Sequence, residues 1–266
     1  MSEFLLYEQT GNVVTLTMNY PDTRNALSDS EQFEEFVEVC KQINRDISVR
    51  AVVLTGAGKS FCAGGNIKHM REWAEHGEGP PFGIRNRYKY GIQQIPLAVY
   101  NLEVPTIAAV NGAAIGAGCD LACMCDVRIA SEYAKFAESF VKLGIIPGDG
   151  GAWLLPRVVG MSNACMMTFT GDTLDAQQSL EMGLVSKIVS ADELLKEAGD
   201  LAARMAANPP HALRLSKQML RESQHMRLDT MLEMASAFQA ISHCAEDHKE
   251  AINAVFDKRE PEFKGK

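Results

Sequence analysis

No apolar run in the 266-residue chain approaches the roughly 18 residues needed to cross a bilayer, and the Met1-Ser-Glu start lacks a cationic stretch followed by an apolar one. Neither a membrane span nor a secretory leader is expected, and the expected location is cytoplasmic. Positive charge is also in short supply. Against 34 Asp and Glu stand 26 Lys and Arg, and the net charge of -8 opposes nucleic acid or an anionic membrane as the main partner. An anionic ligand must be held locally, by a few cations or backbone amides. Seven cysteines are an odd number in a chain long enough to bury a core without staples, which fits a reducing compartment. Cys119, Cys123 and Cys125 cluster, but no His lies near them in the sequence and Cys123-Met-Cys125 is not a zinc spacing, so they read as small core side chains and no metal site is expected. No Ser/Gly/Pro-rich linker divides the chain.

What is present is an ordinary globular mixture with a repeating order of elements. Residues 4–19 read as two strands around Gly11-Asn12, because Val13, Thr15 and Thr17 alternate with Val14, Leu16 and Met18. Ser28 and Glu31 have capping-box spacing before Phe33, Phe36, Val37 and Cys40, which predicts an amphipathic helix to about Arg45. Ala51-Val-Val-Leu-Thr55 is a short buried strand ending at Gly56. The order recurs: Pro105–Val110 is a strand, a Gly-rich turn follows, a short helix holds Leu121, and Asp126–Ala130 is another strand. Residues 69–100 form a polar excursion with Gly77, Gly79, Pro80, Pro81 and Gly83 at its centre, expected as a lid or pocket wall. From Gly160 onward the pattern is helical, with a second capping-box spacing at Ser190 and Glu193 and with Pro209-Pro210 opening a new helix. Met231, Leu232, Met234, Ala235, Phe238 and Ile241 need a partner surface, on the first segment or on a neighbouring subunit.

Two glycine-rich segments invite nucleotide readings and fail them. Gly56-Ala-Gly58-Lys59-Ser60 lacks the first glycine of a phosphate-binding loop, since Val53 stands there inside the strand, and no helix follows Ser60 directly. Gly116-Ala-Gly118 has Leu121 where a dinucleotide fingerprint needs its third glycine. Both segments share a strand leading into small residues, Ala63-Gly64-Gly65 and Gly116-Ala117-Gly118, and then a helix. Small residues admit a ligand to the main chain, and amides at a helix start point outward without partners. Two such donors converging on one carbonyl oxygen make an oxyanion hole. A single unit would only relieve a tight turn; two matched units favour the chemistry.

These residues resemble the signatures of the crotonase (enoyl-CoA hydratase/isomerase) superfamily in order and spacing. The matching stretches are Arg24-Asn25-Ala26-Leu27, Gly56 through Ile67, Pro105 through Gly112, Gly116 through Leu121 and Gly144 through Gly151, and the likeness continues to Phe256–Phe263. The resemblance implies an α/β fold, a spiral of ββα turns over residues 1–200, with a C-terminal helical segment over 201–266 that builds homotrimers or homohexamers. It implies an acyl-CoA thioester as substrate, with coenzyme A entering only as part of that substrate and no further cofactor. By the same resemblance the oxyanion amides are those of Gly65 and Ala117, the latter in place of the commoner Gly. Asn25, Ala26, Leu27, Ala63, Gly64, Asn66 and Ile67 are implied around the adenine and pantetheine, and Lys258 near the nucleotide phosphates. Asn66 stands where Asp is frequent.

The family's hydratases use two Glu side chains, and here the corresponding positions hold Asp120 and Phe140. Asp149 is the best substitute, since some isomerase relatives place an acid on its loop, usually one position earlier; alternatively it caps the following helix. Glu138 could reach the site from a looped backbone, but the favoured expectation is an exposed pair with Lys142 at i+4 on a helix. Asp120 and Asp149 are thus the expected proton carriers. The expected activity is hydration of a 2-enoyl-CoA, with enoyl- or dienoyl-CoA double-bond isomerisation as the alternative that the missing Glu favours. Thioester hydrolysis, decarboxylation and C–C cleavage reuse the same oxyanion hole. A non-catalytic RNA-associated relative is opposed by the charge and by the acid at 120. Trp73, Phe82, Tyr88, Tyr90 and Trp153 are candidates for an acyl pocket, although aromatics so spaced more often belong to the core.

Overall fold

A computed structural model describes residues 4–77 and 79–266. The chain opens with an antiparallel hairpin, β1 (Leu5–Thr10) and β2 (Val13–Met18), turning at Gly11, whose φ of 59° is the left-handed conformation that a glycine adopts freely. Helix α1 (Ser30–Arg45) follows, and its N-cap is Asp29. The predicted box at Ser28 and Glu31 is displaced by one residue. Gln32 reaches back to accept from the Ser28 and Asp29 amides at 2.7 and 3.0 Å while donating to the Ala26 carbonyl at 3.0 Å. A buried Gln that clamps three residues of the preceding segment outweighs a Glu that faces solvent.

Three ββα units come next. The first is β3 (Ala51–Gly56), β4 (Ser60–Cys62) and α2 (Ile67–His76), after which α3 (Pro81–Tyr90) and α4 (Gln94–Tyr100) fill the predicted excursion. The second is β5 (Thr106–Val110), β6 (Ala113–Ile115) and α5 (Ala117–Met124). The third is β7 (Val127–Ser131), β8 (Lys135–Ala137) and, after a 3-10 turn at Ser139–Leu143, α6 (Gly151–Thr170). In each unit the first strand joins one sheet and the second strand joins another, in the orders β1-β2-β3-β5-β7-β10 and β4-β6-β8-β9. The short β9 (Leu174–Asp175), α7 (Ala176–Glu181) and β10 (Lys187–Val189) finish the sheets. This is the spiral of ββα turns that the resemblance implies.

The large sheet is buried on both faces. Val52 and Leu54 of β3 point into the main core, while Ala51 and Val53 point to the opposite face, where α8 (Leu194–Ala206) lays Leu194, Ala198, Ala202 and Ala206 against Ile107, Ala109 and Ile129. The alternation of a strand and the four-residue spacing of a helix meet there on small side chains. No side chain caps α8, so the predicted box at Ser190 and Glu193 does not form; residues 191–193 make a turn, and the helix starts at Leu194. α8 runs through residue 200. Beyond it lie α9 (Pro210–Glu222), opened by Pro209-Pro210 as predicted, α10 (Leu228–Cys244) and α11 (Glu246–Asp257). Arg214 of α9 donates to the Asn44 and Asp46 carbonyls and Lys217 donates to the Val104 carbonyl at 2.6 Å, which fastens this helix to the spiral. Leu228, Leu232, Ile241, Val255 and Phe256 remain exposed on the last two helices. Among the described residues no helix is long and apolar enough to cross a membrane.

Candidate active site

The two amides named from sequence lie at the ends of neighbouring short strands. β4 and β6 run parallel with Cys62 opposite Ala114, and each hands the chain to a helix within a few residues. Glycine makes the close approach feasible. A methyl built on Gly64 would lie 2.4 Å from the Ile115 carbonyl oxygen and 3.3 Å from the Ala117 nitrogen, and one built on Gly118 would lie 2.0 Å from the Cys62 carbonyl oxygen. Both contacts are backbone contacts, so nothing larger fits. Ala117 is the first residue of α5, after Gly116 at φ 53°, so its N–H has no intrahelical acceptor. Among the described residues, no loop or turn carbonyl takes the N–H of Gly65 or of Ala117. The Met70 methyl lies over Gly65, 2.5 Å from where a Cβ would stand.

The segment 24–27 frames this turn. Asn25 is fully buried at φ 56°; its amide donates to the Ala57, Ser60 and Phe61 carbonyls at 3.0, 2.9 and 3.2 Å, and its oxygen accepts from the Tyr20 amide at 2.9 Å. The Asn25 side chain therefore stitches backbone, while Ala63 donates to Arg24 and Leu27 donates to Gly64, at 3.0 and 2.8 Å. Ala26 and Leu27 are buried. Asn66 caps α2, accepting from the Lys68 amide at 3.0 Å, and Ile67 beside it is exposed. Leu27, Gly65, Asn66, Met70, Trp73 and Tyr88 line a cavity of about 400 Å³. Tyr90 lines it as well, so three of the five candidate aromatics face a cavity that reaches Gly65 and none of the three is in the core. Phe82 is exposed, and Trp153 packs elsewhere, under the Arg157 guanidinium. Lys258 is exposed in a left-handed conformation at the end of α11 and does not line this cavity.

One turn after Ala117, the fully buried Asp120 meets two further acids. Glu138 is 1% exposed and Asp149 is 4% exposed, and each faces Asp120. The expected surface pair of Glu138 with Lys142 does not form. Glu138 leaves β8 before the 3-10 turn begins, with φ -93° and ψ 67°, so its side chain continues the inward side of the strand, and Lys142 pairs with Asp172 at 3.2 Å. Asp149 does not cap α6 either: the N-cap is Gly150 at φ 114°, with no side-chain cap. Gly151 sets the cluster's spacing, because a methyl there would lie 2.1 Å from Asp120 Oδ1. Sequence reasoning undervalued Glu138 and missed Gly151; the Gly150-Gly151 pair beside an acid was the available signal.

Three carboxyls in contact cannot all be ionised. Both oxygens of Asp120 and of Glu138, and Oδ1 of Asp149, accept no hydrogen bond from a backbone N–H or a cation among the described residues, so a carboxyl proton must join one carboxyl to the next. Burial, then the nearby charges of Glu138 and Asp149, hold the Asp120 carboxyl well above the usual carboxylate range. Burial raises Asp149 as well. Burial pushes Glu138 up to about 7, against the lowering effect of its contacts with Asp120 and Cys119. The cluster thus holds acid and base forms together near neutral pH, titrating as a unit. Phe140 lays its ring 3.5 Å from where a Cβ on Gly116 would stand, so the turn before Ala117 is roofed by an apolar face.

This cluster has a linkage consequence. The unfolded chain releases the Glu138 proton near pH 4.5, whereas the folded chain keeps it to about 7, so stability contributed below pH 4.5 is lost as pH rises between those values and is flat above. Glu138→Gln is expected to remove a loss on the order of 3 kcal/mol over that window. Melting temperatures of wild type and variant should converge at pH 4.5 and separate at pH 8, with the variant higher; parallel curves would contradict the assignment.

The family described as enoyl-CoA hydratase/isomerase matches residues 8–266. A 1,2-epoxyphenylacetyl-CoA isomerase of Escherichia coli (strain K12) is 38% identical over 100% of both chains. A short-chain-enoyl-CoA hydratase of Clostridium acetobutylicum is 40% identical over 97% of this chain and 96% of its own. The crystal structure of an enoyl-CoA hydratase from Bacillus anthracis superposes with a TM-score of 0.92 at 33% identity, covering 99% of this chain and 100% of that one. With that coverage, with the crotonase fold and with matched amide turns beside a buried acid, this chain belongs to the enoyl-CoA hydratase/isomerase family and is an enzyme of that family.

Proposed function

We propose that the protein shifts a carbon–carbon double bond in an enoyl- or dienoyl-CoA thioester, with Gly65 and Ala117 receiving the thioester oxygen and the Asp120, Glu138 and Asp149 cluster moving the proton. The observation that supports this most is the cluster itself: the buried carboxyls of Glu138 and Asp149 each against that of Asp120, with Phe140 where a second Glu would activate water. For a 3-enoyl thioester, an ionised carboxylate takes the C2 proton, the electron pair moves through C1 to the oxygen as a dienolate, and the same carboxyl returns the proton at C4. Two fixed N–H donors favour the charged intermediate over the neutral substrate. Asn25 to Leu27 and Ala63 to Ile67 frame the pantetheine and adenine in this reading. Lys258 lies apart from the cavity within one chain, so its contact with phosphates belongs to a homo-oligomer in which the exposed apolar face of α10 and α11 is covered.

Hydration of a 2-enoyl-CoA is the second reading, favoured by relatives named as hydratases. It needs a held water as well as a proton, and the ring of Phe140 supplies no hydrogen bond for one. Incubation with straight, branched, cyclic and aryl 2- and 3-enoyl-CoA thioesters separates the two. Isomerisation leaves the mass unchanged and shifts the absorbance, and is the expected result; gain of one water as the dominant product would replace this reading with hydration.

A further inference from the structure

The cavity at Gly65 does not end at Trp73. It shares Met70, Trp73, Arg87 and Tyr88 with a second cavity of about 950 Å³ whose walls include Ile84, Leu143, Ile145 and Ile146. Among the described residues that second lining contains Arg71, Arg85, Arg87 and Lys89 and no Asp or Glu. In a chain of net charge -8 this is a local reversal, and residues 79–102 contain three cations and no carboxylate at all. Arg71 is neutralised by Glu75 at 2.8 Å, and Arg87 lies over the Trp73 ring at 4.0 Å. Arg85 and Lys89 differ from these. They stand four residues apart on α3, on one face, where like charges cost the helix stability. Their recorded contacts are with the neutral Asn86 oxygen at 3.3 Å and the Tyr90 ring at 5.4 Å.

A largely apolar cavity edged by two cations, Arg85 and Lys89, that no described carboxylate neutralises matches a chain with an apolar middle and an anionic end. We propose that the acyl group of the substrate bears a terminal carboxylate, received by Arg85 and Lys89 while the thioester carbonyl occupies the Gly65 and Ala117 turn. This inference rests on the reading that those amides hold a thioester carbonyl. A hydrocarbon tail of the same length gains nothing from the two cations, whereas a carboxylate gains charge-assisted hydrogen bonds in a partly enclosed site. A phosphate of the coenzyme portion has the same anionic chemistry, and the experiment separates the two sources.

Calorimetric titration of the full-length protein with saturated thioester pairs provides the test. Glutaryl-, adipyl-, pimelyl- and suberyl-CoA are compared with pentanoyl-, hexanoyl-, heptanoyl- and octanoyl-CoA, with free coenzyme A alongside. At one or more lengths the carboxylate-ended member is expected to bind at least about fivefold more tightly. R85Q/K89Q should abolish that preference and leave hexanoyl-CoA and free coenzyme A within about twofold of wild type. Both side chains are exposed, so the fold should persist, as a thermal melt can verify. No preference at any length overturns the proposal. Equal weakening of free coenzyme A and every thioester also overturns it, because the cations would then hold phosphates. If the preference appears and no double bond shifts in the matching enoyl thioesters, the isomerase reading falls and this one stands. If 3-hexenoyl-CoA is isomerised and no preference appears, the reverse holds.

Discussion

Ala117→Pro is expected to lower kcat about a hundredfold to a thousandfold while leaving α5 in place, the loss seen when one donor of an oxyanion hole is removed. Proline is the informative replacement because of where Ala117 sits. It is the first residue of the helix, so its N–H supports no helical hydrogen bond and proline's fixed φ suits the position. Gly116, the preceding residue, is a glycine at φ 53°, ψ -121° and tolerates conformations that other residues do not. The donor is lost, and the ring Cδ stands where the hydrogen pointed, so the thioester oxygen is displaced as well. Because the donor is stronger toward the enolate than toward the ground-state thioester, kcat should fall, and the ring in the oxygen's place should raise KM as well. Steady-state kinetics beside a circular dichroism melt checks this; a folded variant with unchanged kcat would remove Ala117 from the chemistry.

Asp120→Asn is expected to lower kcat by about two to four orders of magnitude, the range for loss of a positioned general acid–base group. Stability should hold or rise, since the substitution removes one of three carboxyls that oppose each other's ionisation in a site with no cation partner among the described residues. Falling activity with unchanged or improved melting temperature is the signature that separates a proton carrier from a packing residue. The pH profile carries a sign as well. A carboxylate base works only when ionised, so wild-type kcat/KM should be full above the cluster's highest working pKa and fall as pH drops through about 7. Glu138→Gln should move or erase that limb, and a wild-type profile flat from pH 5 to 8 would count against the cluster as base.

Much of the scaffold was readable because short-range signals and burial agree. Gly11 between alternating runs gives β1 and β2, and the apolar run 51–55 gives β3. Small residues after buried strands marked the Gly65 and Ala117 turns, and the model shows why they must be small: Gly64 and Gly118 lie against opposing backbone. What stayed hidden depended on neighbours remote in sequence. Glu138 looks like a helical surface residue until β8 pairs with β6 and β9, which turns its side chain inward. Ser28 and Glu31 fit a capping box as well as Asp29 and Gln32 do, and only the burial of Gln32 against Ala26 decides between them. The helices within 67–100 were hidden by Gly and Pro, which here separate α2 and α3, both lining the cavity, from each other and from α4.

Exchange of the C2 hydrogens of a 3-enoyl-CoA in deuterated buffer tests the oxyanion hole and the carboxyl cluster together, before any product identity is in question. Deuterium should enter C2 with the wild-type enzyme, and the rate should fall at least about a hundredfold in both Ala117→Pro and Asp120→Asn. Exchange at the wild-type rate in both folded variants would contradict an enolate formed at Gly65 and Ala117.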